Sequence, residues 1–367
     1  MACRSIIINA TALGSHLNGI SVYLLALLTE LTRLRTDNRF IICVTKKSWV
    51  HLKDLHFPDT MTLRWAPRLA APDYGFLGHL FRLLYANYLS LRYPRTLCFN
   101  GSQLEAMLFR TKQIITVHDI IPLLVPRNHT RQYWYFKYVL PRALRNAVAI
   151  IIPSHASKYH LMETYGLEET KIHVIYHGAE HVEGKGEMPQ QFENSEYLLF
   201  IGRASAHKNL NGVLQGFCRL QGILPHRLII AGDANNGRDF PCPSRDADIE
   251  FAGYVSGVER TALYRNAALL IFISHHEGFG LPPLEAMANA CPVVASRTSC
   301  IPEICGDAAY YVDPGNTGSI AEGIRRVATD TGLRATLIQR GLERVKLFSW
   351  RISAARHVDL FDRLSNQ

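Results

Sequence analysis

The chain has 367 residues, 48% of them hydrophobic, which is enough to bury a large core and more than one core usually fills, so two domains are expected. Its net charge of +9 is uneven, with 21 Lys and Arg against 10 Asp and Glu in residues 1–178 and 19 against 21 in the remainder, so the first half should meet something anionic. No run of eighteen apolar residues occurs and the apolar stretch of "MACRSIIINATALG" is short, so neither a spanning helix nor a secretory signal is expected and a cytoplasmic protein is.

In chain order, "SIIIN" is the first expected strand, and it leads through Gly14 and Gly19 into the helical pattern "VYLLALLTEL" without a G-x-G-x-x-G. Glycine at a helix entrance lets backbone approach a phosphate or an acceptor, and it also serves an ordinary turn. "RFIICVT" is the next strand. "FLGHLFRLLYANYLSLRYPR" then interleaves apolar and aromatic residues with Arg82, Arg92 and Arg95, and Arg127, Arg131, Lys137, Arg142 and Arg145 extend the basic character. That composition suits an anionic bilayer surface, and equally a core helix with solvated arginines. "QIITVHD" ends a strand at His118 and Asp119, placed to bond a ligand hydroxyl or do acid-base work. The alternative is that Asp119 caps a turn and backbone satisfies His118. "VAIIIPS" and "KIHVIYH" follow.

The polar, aperiodic stretch "YHGAEHVEGKGEMPQQFENSE", residues 176–196, marks a change of domain. Residues 1–178 are assigned to an N-terminal domain, 179–196 to a linker, 197–348 to a C-terminal domain and 349–367 to a last helix. In that helix Trp350, Ala354, His357, Leu360, Phe361 and Leu364 share a face. The second domain supplies the strands "YLLFIGR", "HRLIIAGD", "ALLIFIS", "CPVVAS" and "AAYYVD". Continuous apolar strands alternating with helices mark parallel sheets covered on both faces, hence α/β architecture with two doubly wound Rossmann-like domains facing across a cleft.

Two stretches of the second domain carry chemistry. After "YLLFI", Arg203 and Lys208 bracket a polar turn, and Lys208 or Asn209 opens a helix. Two cations at a strand's carboxyl end suit a diphosphate; they are also what any surface turn can carry. In "EGFGLPPLEA", Glu277 lies in a loop, the backbone of Gly278, Phe279, Gly280 and Leu281 runs into a helix, and Glu285 lies further in. Helix N-termini hold phosphates and carboxylates accept from sugar hydroxyls, so a nucleotide sugar fits both. The bland account has Glu285 complementing the helix dipole and Glu277 solvated. The eight cysteines contain no C-x-x-C and read as reduced core thiols, and the histidines form no H-E-x-x-H. Asp246-Ala-Asp248 is a D-x-D in a polar loop, but the cationic pair already serves a diphosphate, so no metal is expected.

Taken together, the glycine loop, "VHDIIP", "GR" with "KN" four residues on, "GYV", "EGFGLPPLEA", "PVVAS", "IPEICGDAAYYVDP" and the terminal "FSW" helix resemble the retaining glycosyltransferases of family 4, or group 1, with the GT-B fold. The resemblance covers nearly the whole chain. It implies an acceptor-binding first domain, a nucleotide-sugar-binding second domain and a last helix that crosses back to the first. By similarity, Arg203 and Lys208 stabilise the departing diphosphate, with Asn209 beside them, Glu277 meets the donor sugar and Glu285 the ribose. Tyr254 and Val255 lie near the base, His118 and Asp119 meet the donor from the first domain, and Gly19 approaches phosphate or acceptor.

The pattern looks most like bacterial mannosyltransferases using GDP-mannose, with a UDP-hexose, glucosyl or N-acetylglucosaminyl, as the alternative donor. A lipid-linked glycan acceptor, carried on polyprenyl diphosphate in exopolysaccharide or O-antigen assembly, would place the enzyme peripherally at the inner face of the cytoplasmic membrane. No cofactor, metal or nucleic acid is implied. A non-catalytic polyanion-binding scaffold is the alternative from another class. Two departures stand out: "NGIS" has one glycine where many members have two, and "LLVPRNH" lacks the usual acidic ending.

Overall fold

The computed structural model describes residues 5–109, 112–126, 130–179, 192, 196–233 and 248–365. The chain forms two compact units, Met1–Gly178 with Trp350–Gln367, and Ala179–Ser349. The expected linker lies almost wholly outside the described residues.

The first unit holds a seven-stranded parallel sheet of β1 (Ser5–Asn9), β2 (Arg39–Val44), β3 (Met61–Trp65), β4 (Leu97–Asn100), β5 (Gln113–Thr116), β6 (Ala149–Ile152) and β7 (Ile172–Val174). Its order is β3-β2-β1-β4-β5-β6-β7, so the winding reverses between β1 and β4. The second unit holds a six-stranded parallel sheet of β8 (Tyr197–Ile201), β9 (Arg227–Ala231), β10 (Ile249–Gly253), β11 (Leu269–Phe272), β12 (Val293–Ser296) and β13 (Ala309–Val312). Its order, β10-β9-β8-β11-β12-β13, reverses between β8 and β11. Parallel strands put all their carboxyl ends on one edge, and the reversal leaves a crevice there, where ligands of such sheets bind.

All ten expected strands are present. Three more, β3, β4 and β10, carried little signal in the sequence. β3 and β10 are edges of their sheets and only partly buried, so they lack the continuous apolar run of a central strand, and β4 is four residues, "LCFN", with no β-branched residue. Among the described residues the free cysteines are Cys43, Cys98, Cys291, Cys300 and Cys305, all buried, and Cys218, half-buried; Cys3 and Cys242 lie outside them. No helix among these residues is long and apolar enough to cross a membrane.

The helix Trp350–Ser365 packs on the first unit and buries Trp350, Ser353, Ala354, His357, Leu360 and Phe361, whereas Leu364 is only half-buried. Phe361 meets Phe99 and Phe40 at ring distances of 5.2 and 6.4 Å, and Asn38 donates to Asp362 at 2.6 Å. His357 Nδ1 lies 2.7 Å from the carbonyl of Ser353, which only accepts, so Nδ1 carries the proton and Nε2 is the acceptor. Tyr23 therefore donates its phenol to His357 Nε2 at 2.8 Å and accepts from Thr116 Oγ1 at 3.0 Å. His118 and His177 pack against the same tyrosine ring at 4.9 and 4.8 Å.

Burial pushes His118 and His357 down to about 4 and His177 well below its ordinary value. Above pH ~6.5 these rings are neutral folded or unfolded and add no pH dependence. As pH falls from 6.5 towards 4 the unfolded chain takes up protons that the buried rings refuse, and each fully shifted ring costs about 3 kcal/mol of stability. The urea midpoint is therefore expected to drop between pH 7.5 and 5. His357→Leu should lower the midpoint at pH 7.5 and flatten its fall; an unchanged slope would remove His357 from this account.

Candidate functional site

In the second unit, β8 ends at Gly202, whose φ of +148° lies in the range that favours glycine. A Cβ on the neighbouring Gly232, at φ +125°, would come within 2.3 Å of the Gly202 carbonyl oxygen. The two strand ends therefore approach closely only as glycines. Arg203 then emerges exposed, its Nε 3.6 Å from the carboxylate of Asp233 at the end of β9. A short 3-10 turn, Ala206–Lys208, delivers Lys208, and Asn209 in left-handed conformation (φ +56°) caps the helix Leu210–Cys218 by accepting from Gly212 N. Asparagine tolerates that backbone and supplies the cap in one residue.

From β11, on the other side of the reversal, the loop brings Glu277. Its backbone is pinned by Ser299, whose Oγ accepts from Glu277 N at 3.2 Å and donates to its carbonyl at 2.8 Å. The side chain forms an ion pair with Lys208 at 2.6 Å, with only 16% of the lysine and 9% of the glutamate side chain exposed. Lys208 also sits 5.1 Å over the ring of Phe272. No cation within "EGFGLPPLEA" partners Glu277; the partner comes from the neighbouring strand. Two ammonium protons of Lys208 remain for a further acceptor, such as a phosphate oxygen.

Helix Leu281–Ala288 follows, with Gly280 at φ +94° as its N-cap, no side-chain cap, and a proline in its first turn as expected. Gly278, Phe279 and Gly280 are buried, Leu281 is half-buried, and Phe279 packs against Phe348 at 5.8 Å. Glu285, the fifth residue of this helix, lies beyond the turn where the dipole acts most strongly. It is buried and held by two groups of the helix Gly257–Asn266: Tyr264 donates to Oε2 at 2.9 Å, and Arg260 stands 3.3 Å from Oε1. Burial first, and then the Glu285 charge, push the Tyr264 phenol well above its ordinary range, so it stays a donor. Tyr254, directly after β10, is 72% exposed, and Val255 is half-buried.

Gly19, His118 and Asp119 belong to the first unit. Gly19 opens the helix Gly19–Arg33 behind the Asn18 cap, and a Cβ there would meet nothing within 4 Å, so its backbone is approachable. His118 follows β5; its Nε2 donates to the Gly101 carbonyl at 2.9 Å, which leaves Nδ1 as a lone-pair acceptor. A ring whose pKa is about 4 is neutral at pH 7, so His118 suits accepting a hydroxyl proton in a hydrogen bond and does not suit acting as a general acid. Asp119 Oδ1 accepts from Ile121 N at 2.9 Å, so the turn-capping account of Asp119 and the backbone-satisfied account of His118 both describe what is present.

Sequence reading missed the residues that hold the site residues in place: Asp233, Phe272, Ser299, Arg260, Tyr264 and the Gly101–Gln103 turn. Asp233 was legible as a carboxylate ending the strand "HRLIIAGD"; the others reach their partners across the fold and leave no spacing signal. Asp248 pairs with Arg227 at 3.1 Å, and Asp246 lies outside the described residues. Among the described residues no three His, Cys, Asp or Glu side chains converge as metal ligands.

Tyr264→Phe would leave a buried carboxylate oxygen without its donor and is expected to cost about 1–3 kcal/mol in urea unfolding. Arg260→Ala, losing a partly solvated pair, should cost under about 1 kcal/mol. The reverse ranking would mean that Arg260, not Tyr264, holds Glu285.

The family model for glycosyl transferases group 1 matches residues 187–344, and that for glycosyltransferase family 4 matches residues 17–182. The chain is 27% identical to O-antigen chain mannosyltransferase RfbU of Salmonella typhimurium (strain LT2) over 332 residues, 88% of this chain and 90% of the relative. It is 26% identical to O-antigen chain mannosyltransferase B of Escherichia coli over 269 residues, 69% of this chain and 71% of the relative. The crystal structure of Anabaena HepE in complex with UDP-glucose shares its fold, with a TM-score of 0.73 at 17% identity over 99% of this chain and 100% of that one. With two parallel-sheet Rossmann-like domains that the two models cover between them, the chain belongs to the group 1, family 4 glycosyltransferases and has the GT-B fold.

Proposed function

We infer that this glycosyltransferase moves mannose from GDP-mannose, with retention of anomeric configuration, onto a glycan carried on polyprenyl diphosphate at the inner face of the cytoplasmic membrane, in bacterial exopolysaccharide or O-antigen assembly. The observation that carries the transfer reaction is the Lys208–Glu277 pair, placed by β8 and β11 on either side of the sheet's reversal. A cation with spare donors stands there beside a carboxylate, which is what a sugar joined to a diphosphate requires. The choice of mannose is supported by the two O-antigen chain mannosyltransferases to which the chain is similar. A UDP-hexose is the alternative donor, favoured by the UDP-glucose that HepE holds on the same fold.

In the proposed reaction the bond from the anomeric carbon to the diphosphate oxygen breaks as the acceptor oxygen attacks from the same face, and the acceptor proton passes to the leaving phosphate. Lys208 and Arg203 offset the charge that develops on the diphosphate, with the helix entrance at Gly280 and Leu281 beside them. Glu277 and His118 accept from sugar hydroxyls, Glu285 from the ribose, and Tyr254 and Val255 flank the base. Asn209 and Asp119 shape the turns that present Lys208 and His118. No protein nucleophile and no metal enter this reading. Removing one charge-stabilising group of this kind typically slows the chemical step by about 10² to 10³.

Calorimetry with GDP and UDP separates the donors. GDP is expected to bind, with Lys208→Ala weakening it at least ~10-fold. Tighter binding of UDP would keep the enzyme and replace the sugar, and binding of neither nucleotide would favour a non-catalytic scaffold. Glu277→Gln should retain GDP affinity while turnover with GDP-mannose and a polyprenyl-diphosphate glycan falls about 10²-fold. Turnover equal to wild type would withdraw Glu277 from the sugar. An inverted anomeric coupling in the NMR spectrum of the product would overturn retention.

A further inference from the structure

The helix Gly75–Arg92 has two apolar faces. One is inside: Tyr85, Ala86 and Leu89 are buried, and so is Arg82, which lies 3.5 Å from the fully buried carboxylate of Glu105. Arg82 therefore faces the core, which corrects its expected place among the surface cations. The other face carries Phe76, Leu77, Leu80, Leu84, Tyr88 and Leu91, each between 42% and 66% exposed. From Leu77 to Leu91 their spacing of three and four residues makes one stripe along a helix about 27 Å long. A core helix has no use for such a stripe.

The stripe continues onto a neighbouring element. The Arg131 guanidinium lies 5.2 Å over the Phe76 ring, and from the same helical segment the exposed Trp134 and Tyr138 stack at 5.5 Å. Lys137 sits 5.3 and 5.5 Å over the rings of Tyr133 and Tyr138, and at the other end of the stripe Arg92 lies 5.0 Å over Tyr93. Among the described residues Arg92, Arg131 and Lys137 have no carboxylate partner. The sequence from 74 to 162 holds eleven Lys and Arg and only two carboxylates, Glu105 and Asp119, of which Glu105 is the buried one.

We propose that this face, the stripe Phe76–Leu91 with Trp134, Tyr138 and their flanking cations, docks on an anionic lipid bilayer. The leucines enter the acyl boundary, the tryptophan and tyrosines lie at headgroup level, and the cations meet the lipid phosphates. The combination selects the occupant. A nucleic acid uses the cations and leaves six apolar side chains idle, and a second protein chain uses the apolar stripe without calling for so one-sided a charge. The purpose of this surface rests on the reading that the acceptor is lipid-borne, but its existence can be read without any sugar.

The test is co-sedimentation of the full chain with vesicles of phosphatidylcholine alone and with 30% phosphatidylglycerol, with GDP affinity measured on the same preparations. Binding to the anionic vesicles is expected. It should fall at least 10-fold in Leu80→Ser/Leu84→Ser/Leu91→Ser, and in Arg92→Gln/Arg131→Gln/Lys137→Gln it should fall by a similar factor that shrinks as salt rises. Unchanged binding in the leucine variant, or equal binding to neutral vesicles, overturns the proposal. So does tight binding of an oligonucleotide without vesicle binding, or a dimer that the leucine variant abolishes without vesicle binding. Retained GDP affinity in both variants shows that the second unit is intact. Vesicle binding by a wild-type chain that binds no nucleotide would uphold the surface and sink the transferase reading instead.

Discussion

Four groups in line, the Ser353 carbonyl, the His357 imidazole, the Tyr23 phenol and the Thr116 hydroxyl, fix the last helix to the first sheet. Each donor has one possible acceptor, so the tautomer of His357 and the direction of every bond are determined. Because all four are buried, a wrong tautomer would strand a polar atom in the core, at a cost of about 1–3 kcal/mol. Thr116 ends β5 and His118 stands two residues on, with its ring edge against Tyr23. The position of His118 is therefore inherited from a helix that begins more than two hundred residues later in the chain.

The two reversals use different chemistry. In the first unit the contacts beside the crevice join neutral groups: Asn9 donates to Asn100 at 3.1 Å, Gln103 accepts from the backbone of His118, and the His118 ring is uncharged. In the second they are ionic: Arg203 with Asp233, Lys208 with Glu277, Arg260 with Glu285. Of these the short, largely buried Lys208–Glu277 pair fixes its cation in place, whereas the long, exposed Arg203–Asp233 pair leaves Arg203 free to move. The cost is that Glu277 depends on Lys208, whose removal would leave a largely buried carboxylate uncompensated, whereas Glu285 keeps the Tyr264 donor when Arg260 is lost.

The strands of central position were legible because a strand buried on both faces must be apolar throughout, as "YLLFI" and "LLIF" are. So were the carboxyl ends of those strands, because each apolar run stops at a polar residue or a glycine. The edges β3 and β10 were not, because a half-solvated strand resembles a loop in composition. The pairing of Glu285 with Tyr264 and Arg260 was equally hidden: the helix "GVERTALYRN" offers nothing that singles those two out, and their partner lies on another helix. Composition alone suggests a basic surface on Gly75–Arg92, and the fold sorts its two arginines: Arg82 closes a core ion pair and Arg92 remains outside.

The first unit takes its closing helix from the far end of the chain, and synthesis on a ribosome is ordered in time. Until residues 350–365 emerge, the first sheet lacks the Phe361 contacts to Phe40 and Phe99 and the His357 acceptor for Tyr23. The second unit, contiguous in sequence from Ala179 to Ser349, has no such wait. The half translated first would then be completed last, and a nascent chain stalled or clipped before Trp350 would present an unfinished apolar surface to chaperones and proteases while its second half could already be folded.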